Sequence, residues 1–135
     1  FFFSLALAKR HVEVSEARAR PGLLVRGRGY YPEDAPLTLV LGLASGTASI
    51  LVLVLYLVNE AYAVGVYSAP GFLAAIPLLV GMWTMRIWLL AHRGRLHDDP
   101  VSFAVRDPKS LVMGTMLAGV LGAAMLVPAS ALLVG

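Results

Sequence analysis

Residues 37–58 contain no charged side chain. As a helix, these 22 residues span roughly 33 Å, enough to cross the hydrocarbon core of a bilayer. Lipid offers no hydrogen bonds to the backbone, so a segment this apolar is expected to cross it as a helix. Two further segments repeat the pattern. Residues 69–91 form a second span, interrupted by Pro77 and carrying one charge, Arg86. Residues 110–134 form a third, uncharged, with Pro128 near its far end. The sequence therefore predicts an all-α transmembrane bundle of three full spans.

Composition enters only to support this class. The chain is 59% hydrophobic and 14% charged, against about 45–50% and about 25% in soluble domains. Cysteine is absent, which excludes disulfides and thiolate-held metals. The net charge is +3, a balance that in a soluble domain would point to nucleic acid. Here the placement of the cations points to a bilayer instead, and no nucleic-acid partner is expected.

All 11 cations border two polar stretches. Lys9, Arg10, Arg18, Arg20, Arg26 and Arg28 lie in or beside loop 9–36, and Arg93, Arg95, Arg106 and Lys109 in loop 92–109. Arg86 lies just inside the membrane beside the second loop. The connection 59–68 has no cation. Successive spans alternate direction, so both basic loops fall on one side. The positive-inside rule makes that side cytoplasmic, in a multi-pass protein of the inner (plasma) membrane with its C-terminus outside the cytoplasm.

The start of the chain has a different character. Apolar residues run from Phe1 to Ala8, and Lys9 and Arg10 follow. A secretory signal has the opposite order. The segment reads as the last turns of a preceding membrane helix, and the chain as the C-terminal part of something longer. Its neighbours would be the missing N-terminal helices of the same protein.

Small residues recur at four-residue spacing: Gly42 with Gly46, Ser45 with Ser49, and Gly114, Ala118 and Gly122. Such stripes let helix backbones approach in lipid, although membrane helices are rich in these residues in any case. Asp99 before Pro100 and Asp107 before Pro108 read as N-caps with proline at the first helical position. The alternative for the run His97, Asp98 and Asp99 is metal ligation. Between Trp83 and Trp88, Arg86 is either functional or a cation that snorkels to the interface.

Lys9, Arg10 and Glu13 form a polar cluster where the first helix leaves the membrane. Lys9 and Glu13, at i and i+4, share a helix face and are expected to pair. The cluster reads either as an interfacial anchor or as a site for an anionic diphosphate headgroup. Beyond it, the segment 18–34 reads as a basic, solvated stretch attracted to anionic lipid. The sequence has no Walker-type loop, HExxH or nucleophile elbow.

The segment Phe2-Phe3-Ser4-Leu5-Ala6-Leu7-Ala8-Lys9-Arg10-His11-Val12-Glu13 resembles the sixth-helix exit of one branch of the UbiA superfamily of intramembrane prenyltransferases. Arg28-Gly29-Tyr30 with Asp34 fits the same branch. So do Arg86-Ile87-Trp88-Leu89-Leu90-Ala91-His92-Arg93-Gly94 and His97-Asp98-Asp99-Pro100-Val101-x-Phe103-Ala104-x-Arg106-Asp107. The branch is also similar to phosphoribosyl transferases acting on polyprenyl phosphate.

The resemblance implies a nine-helix bundle with a membrane-embedded cavity and a Mg²⁺-held diphosphate. It implies transfer of a polyprenyl group from its diphosphate to an acceptor. The alternatives are phosphoribosyl transfer to polyprenyl phosphate, or a small non-enzymatic membrane protein or transporter subunit. The resemblance assigns catalytic roles to Lys9, Arg10 and Glu13, Mg²⁺ ligation to Glu13, and substrate contacts to Arg28, Tyr30, Asp34 and Arg93. The branch's first acidic motif, of Asn-Asp-x-x-Asp type, is absent from this sequence, and His11-Val12 stands where Tyr-Ala is common.

Overall fold

The computed structural model describes residues 1–20, 29–96 and 99–127. Among these, the regular structure is helical throughout. The first helix, α1, spans Phe2–Ala19. A 3₁₀ turn at Pro32–Asp34 leads into α2, Ala35–Tyr56. A π-helical turn, Leu57–Ala61, continues α2 to the connection. A second 3₁₀ turn, Pro70–Ala74, precedes α3, Ala75–His92. Then come the short α4, Pro100–Ala104, and α5, Pro108–Leu126.

Three stretches are long and apolar enough to cross a membrane: Pro32–Ala61, Pro70–His92 and Pro108–Leu126. These match the three expected spans. Many of their large apolar side chains face outward, among them Leu51, Leu78 and Met116. Water would penalise that surface, whereas lipid accepts it. The last span begins at Pro108 under the Asp107 cap, and its expected continuation through Pro128 lies outside the described residues.

Two boundaries differ from expectation. α1 does not stop where its charges begin but continues to Ala19. Residues 9–19 contain no proline or glycine to break the hydrogen-bond ladder, and Leu7, Val12 and Val14 stay buried. Part of the expected first loop is therefore helix, with side chains buried as far as Ala17. Pro77, expected to interrupt the second span, sits in the first turn of α3. An amide there has no helical partner to lose, so proline is accommodated without a mid-helix break.

α1 lies chiefly against α2, and α3 crosses both. Their common point is a polar node. The Ser4 hydroxyl donates to the Gly42 carbonyl at 2.7 Å and accepts from the Trp88 indole N–H at 3.0 Å. Gly42 is required by this approach, since a Cβ there would lie 2.0 Å from the Trp88 ring. At Gly46 a Cβ would lie 2.9 Å from the Ser4 hydroxyl and 3.2 Å from Thr84. The Gly42–Gly46 stripe thus packs helices as expected. The stripe in α5 does not do so among the described residues: nothing there lies within 4 Å of a Cβ built at Gly114 or Gly122. α5 meets its neighbours through Leu117, Val120, Leu121 and Ala124 instead.

One apolar core gathers Leu5, Ala8, Ile87, Trp88 and Leu96 near the basic end. A second gathers Leu57, Leu73, Ile76 and Ala124 at the other end. There the Ala69 amide donates to the Ala124 carbonyl at 3.0 Å, and the Ser68 hydroxyl donates to the Met125 carbonyl at 3.1 Å. These bonds satisfy acceptors left free at the end of α5.

Candidate functional site

The basic corner is built on α1 where it leaves the apolar core. Arg10 pairs with Glu13 in close contact, one turn along the helix. Its guanidinium also lies over the Tyr30 ring, 5.5 Å from the centroid. The expected Lys9–Glu13 pair does not form. Lys9 instead lies 3.8 Å from the Asp99 carboxylate at the start of α4. The reason is geometric: Glu13 has Arg10 within reach on its own face, while α4 brings Asp99 up to Lys9. Both pairs are partly solvated, so each contributes on the order of 1 kcal/mol or less.

Tyr30 is thus brought to the corner. Asp34 is not: its carboxylate accepts from the Tyr31 amide at 2.9 Å and closes the turn ahead of α2. Arg93 follows α3 and is exposed, and among the described residues no ion pair joins it to the corner. Arg28, His97 and Asp98 lie outside the described residues.

Both aspartate caps form. Asp99 accepts from the Val101 amide at 3.2 Å, and Asp107 from the Ser110 amide at 2.7 Å. Asp107 has a second role that sequence reasoning missed. Its two oxygens accept from Arg86 at 2.7 and 2.9 Å, a bidentate pair. The Arg86 guanidinium also donates to the Ser110 hydroxyl at 3.2 Å and lies 5.6 Å from the Phe103 ring centre. Ser110 accepts from the Trp83 indole as well, at 3.0 Å. Desolvation acts to raise the Asp107 pKa, but hydrogen bonds from Arg86 and Ser110 outweigh it, and the carboxyl lies below its ordinary value. Arg86 therefore neither snorkels free nor faces a vacant site; it ties α3 to the start of α5.

His11 is also more than a neighbour of the cations. It is buried, and Nδ1 lies 3.0 Å from the Ala35 carbonyl and 3.1 Å from the Thr38 hydroxyl. The carbonyl can only accept, so Nδ1 carries the proton. The ring stacks on His92 with 6.0 Å between centroids. Burial pulls the His11 pKa down, the Ala35 bond resists, and a charge on His92 would lower it further.

An apolar groove of about 860 Å³ runs between α2, α3 and α5. Ser49, Leu53, Trp83, Ser110, Gly114 and Leu117 are among its lining residues. Near the corner, Glu13 is engaged by Arg10 and Asp99 by Lys9. Among the described residues, no group of three or more His, Cys, Asp or Glu side chains could hold a metal ion. These residues do not by themselves compose a Mg²⁺ site.

Comparison with known proteins gives two relatives. The chain is 49% identical over 118 residues to the uncharacterized protein y4nM of Sinorhizobium fredii, covering 87% of this chain and 23% of that protein. It is 33% identical over 112 residues to the nodulation protein NoeC of Azorhizobium caulinodans, covering 82% of this chain and 36% of that protein. The chain thus spans about a quarter to a third of the length of these relatives. No family model matches it, and no solved structure does.

Proposed function

We propose that this chain is part of a UbiA-type intramembrane transferase and works on a polyprenyl substrate at the basic end of its helices. The observation that carries this reading is the Lys9–Arg10–Glu13–Tyr30 corner, placed where α1 leaves the apolar core. In this reading the basic loops are cytoplasmic, in a plasma-membrane protein with nine helices in all.

The chemistry asked of the corner is charge stabilisation. When a prenyl diphosphate reacts, its C1–O bond breaks and the diphosphate leaves with the electron pair. The acceptor forms the new bond to C1 and releases its proton. Lys9 and Arg10 meet the developing negative charge, and Glu13 holds the Arg10 guanidinium in place. The Tyr30 ring limits where that guanidinium can swing. The groove between α2, α3 and α5 offers apolar room for the chain of such a substrate. The Mg²⁺ that the resemblance implies enters none of these steps, because the described residues do not hold it.

A second reading is phosphoribosyl transfer to polyprenyl phosphate. It is favoured by the same corner, where cations outnumber uncommitted carboxylates, a composition suited to a phosphate nucleophile that must be oriented. One assay separates the two. Membranes containing the intact protein are supplied with radiolabelled prenyl diphosphate or phosphoribosyl diphosphate, and lipid-soluble product is counted. The expected result is a product from prenyl diphosphate that falls by about 10²–10³ in Lys9→Ala or Glu13→Ala at equal expression. Product from phosphoribosyl diphosphate alone selects the second reading. Unchanged transfer in both variants removes the corner from the chemistry.

A further inference from the structure

The connection between α3 and α5 sorts its charges by direction. Its described acids are both turned toward the protein: Asp99 meets Lys9 and caps α4, and Asp107 meets Arg86 and caps α5. Three of its cations are not. Arg93 and Arg95 are exposed just beyond α3, and Lys109 is exposed in the first turn of α5. Among the described residues none of these three has an ion-pair partner.

The backbone holds this arrangement outward. Gly94 takes a left-handed φ of 64°. The Gly94 amide then donates to the Ala91 carbonyl, and the Arg95 amide to the Leu90 carbonyl. This glycine-terminated cap turns the chain sharply, with Arg93 and Arg95 on either side of the turn. Further on, Val101 is 49% exposed and Val105 66% exposed, in and just beyond α4. The described residues of the connection lie between His92 and Pro108, which end one candidate span and begin the next. Its level is therefore that of the lipid headgroups.

We propose that this connection is a docking surface for anionic phospholipid headgroups, with Arg93, Arg95 and Lys109 binding phosphate and Val101 and Val105 entering the acyl boundary. Charge complementarity selects the occupant. The unpaired cations call for anions, and guanidinium forks match phosphate oxygens bidentately. The valines call for an apolar phase directly beneath those anions, which an acidic protein surface does not supply but a bilayer does. Val105 also lines the apolar groove between α2, α3 and α5, but the inference rests on the exposed cations Arg93, Arg95 and Lys109 and not on the corner of α1.

The test uses the intact protein reconstituted in vesicles. The 135 residues contain no cysteine, so Val105→Cys provides a thiol for an environment-sensitive bimane. Emission should shift to the blue in phosphatidylcholine vesicles containing about 30% phosphatidylglycerol, relative to phosphatidylcholine alone, and roughly half-molar NaCl should reverse the shift. Substituting Arg93→Gln, Arg95→Gln and Lys109→Gln together should weaken the preference for phosphatidylglycerol by about fivefold per cation. The same label at Tyr62→Cys, on the opposite connection, should show no preference. Equal emission in the two vesicles overturns the proposal. So does a shift that survives the triple substitution, or one as large at position 62.

Discussion

His11 shows how a single buried ring sets a pH dependence. Its folded pKa lies below the ordinary 6.5 because burial disfavours the imidazolium, even though the Ala35 bond works the other way. Above 6.5 both folded and unfolded chains hold a neutral ring, and the stabilising contribution is complete. As pH falls through that value the unfolded chain takes a proton that the folded one refuses, so stability is lost until the folded pKa is passed. Thermal unfolding in detergent should therefore show a midpoint that drops between about pH 7.5 and about pH 5. His11→Asn keeps a donor for the Ala35 carbonyl and removes the titration, so its profile should be flatter. Identical slopes would assign the loss elsewhere. Legibility was uneven at this scale. The Asp99 and Asp107 caps could be read from the Asp-Pro pairs, because capping is local. The Arg86–Asp107 pair could not, because it joins residues 21 apart and depends on how α3 meets α5. Lys9 and Glu13 illustrate the converse: correct helical spacing permits a pair, but a nearer Arg10 and an approaching Asp99 decide which pair forms.

Among the elements, α2 is the one whose packing is least forgiving. In lipid the helices gain little from the hydrophobic effect, so close contact and interhelical hydrogen bonds hold them, the latter worth roughly 0.6 kcal/mol each. Gly42 supplies the contact and Ser4 the bonds. A methyl group at Gly42 has to displace the Trp88 ring from a position 2.0 Å away. Gly42→Ala should cost about 1–3 kcal/mol in an unfolding titration. Adding Trp88→Leu should remove most of that penalty as measured in a double-mutant cycle, because the clash disappears with the ring. Additive effects of the two changes would show that the ring is not the obstacle. The Gly42–Gly46 stripe was visible as spacing, yet the equally regular stripe of α5 carries no such contact among the described residues. Spacing says that a face can approach another helix, and only the neighbour's position says whether it does. The helix ends were misread for a related reason. Charges at Lys9 and Arg10 pointed to an exit from lipid and so to the end of α1, but a helix ends only where its hydrogen bonding or packing ends, here at Ala19.

At the scale of the whole molecule, the alternation of three spans places connection 59–68 and loop 92–109 at opposite ends. Single cysteines at Asn59 and Arg95 in the otherwise cysteine-free 135 residues should be labelled from opposite sides by a membrane-impermeant maleimide in sealed cells and inverted vesicles. If the positive-inside rule holds, position 95 reacts only in the inverted vesicles. Labelling of both positions from one side would break the three-span topology. This architecture was the most legible feature of the sequence, because lipid demands length and apolarity and a window of residues shows both. The corner was legible only as a set of residue types. Its partners across the fold, Tyr30 and Asp99, come from other parts of the chain, and their distances follow from packing that no local pattern encodes.

The ties from Ser68 and Ala69 to the end of α5 bear on how the protein is made. Synthesis delivers the α2–α3 connection well before Ala124 and Met125, so a nascent chain holding only α2 and α3 exposes an amide and a hydroxyl with no protein acceptor. Arrival of α5 supplies both carbonyls at once. That end of the described bundle is therefore closed by α5, and an insertion intermediate stalled before α5 would keep that connection open to water and to proteases.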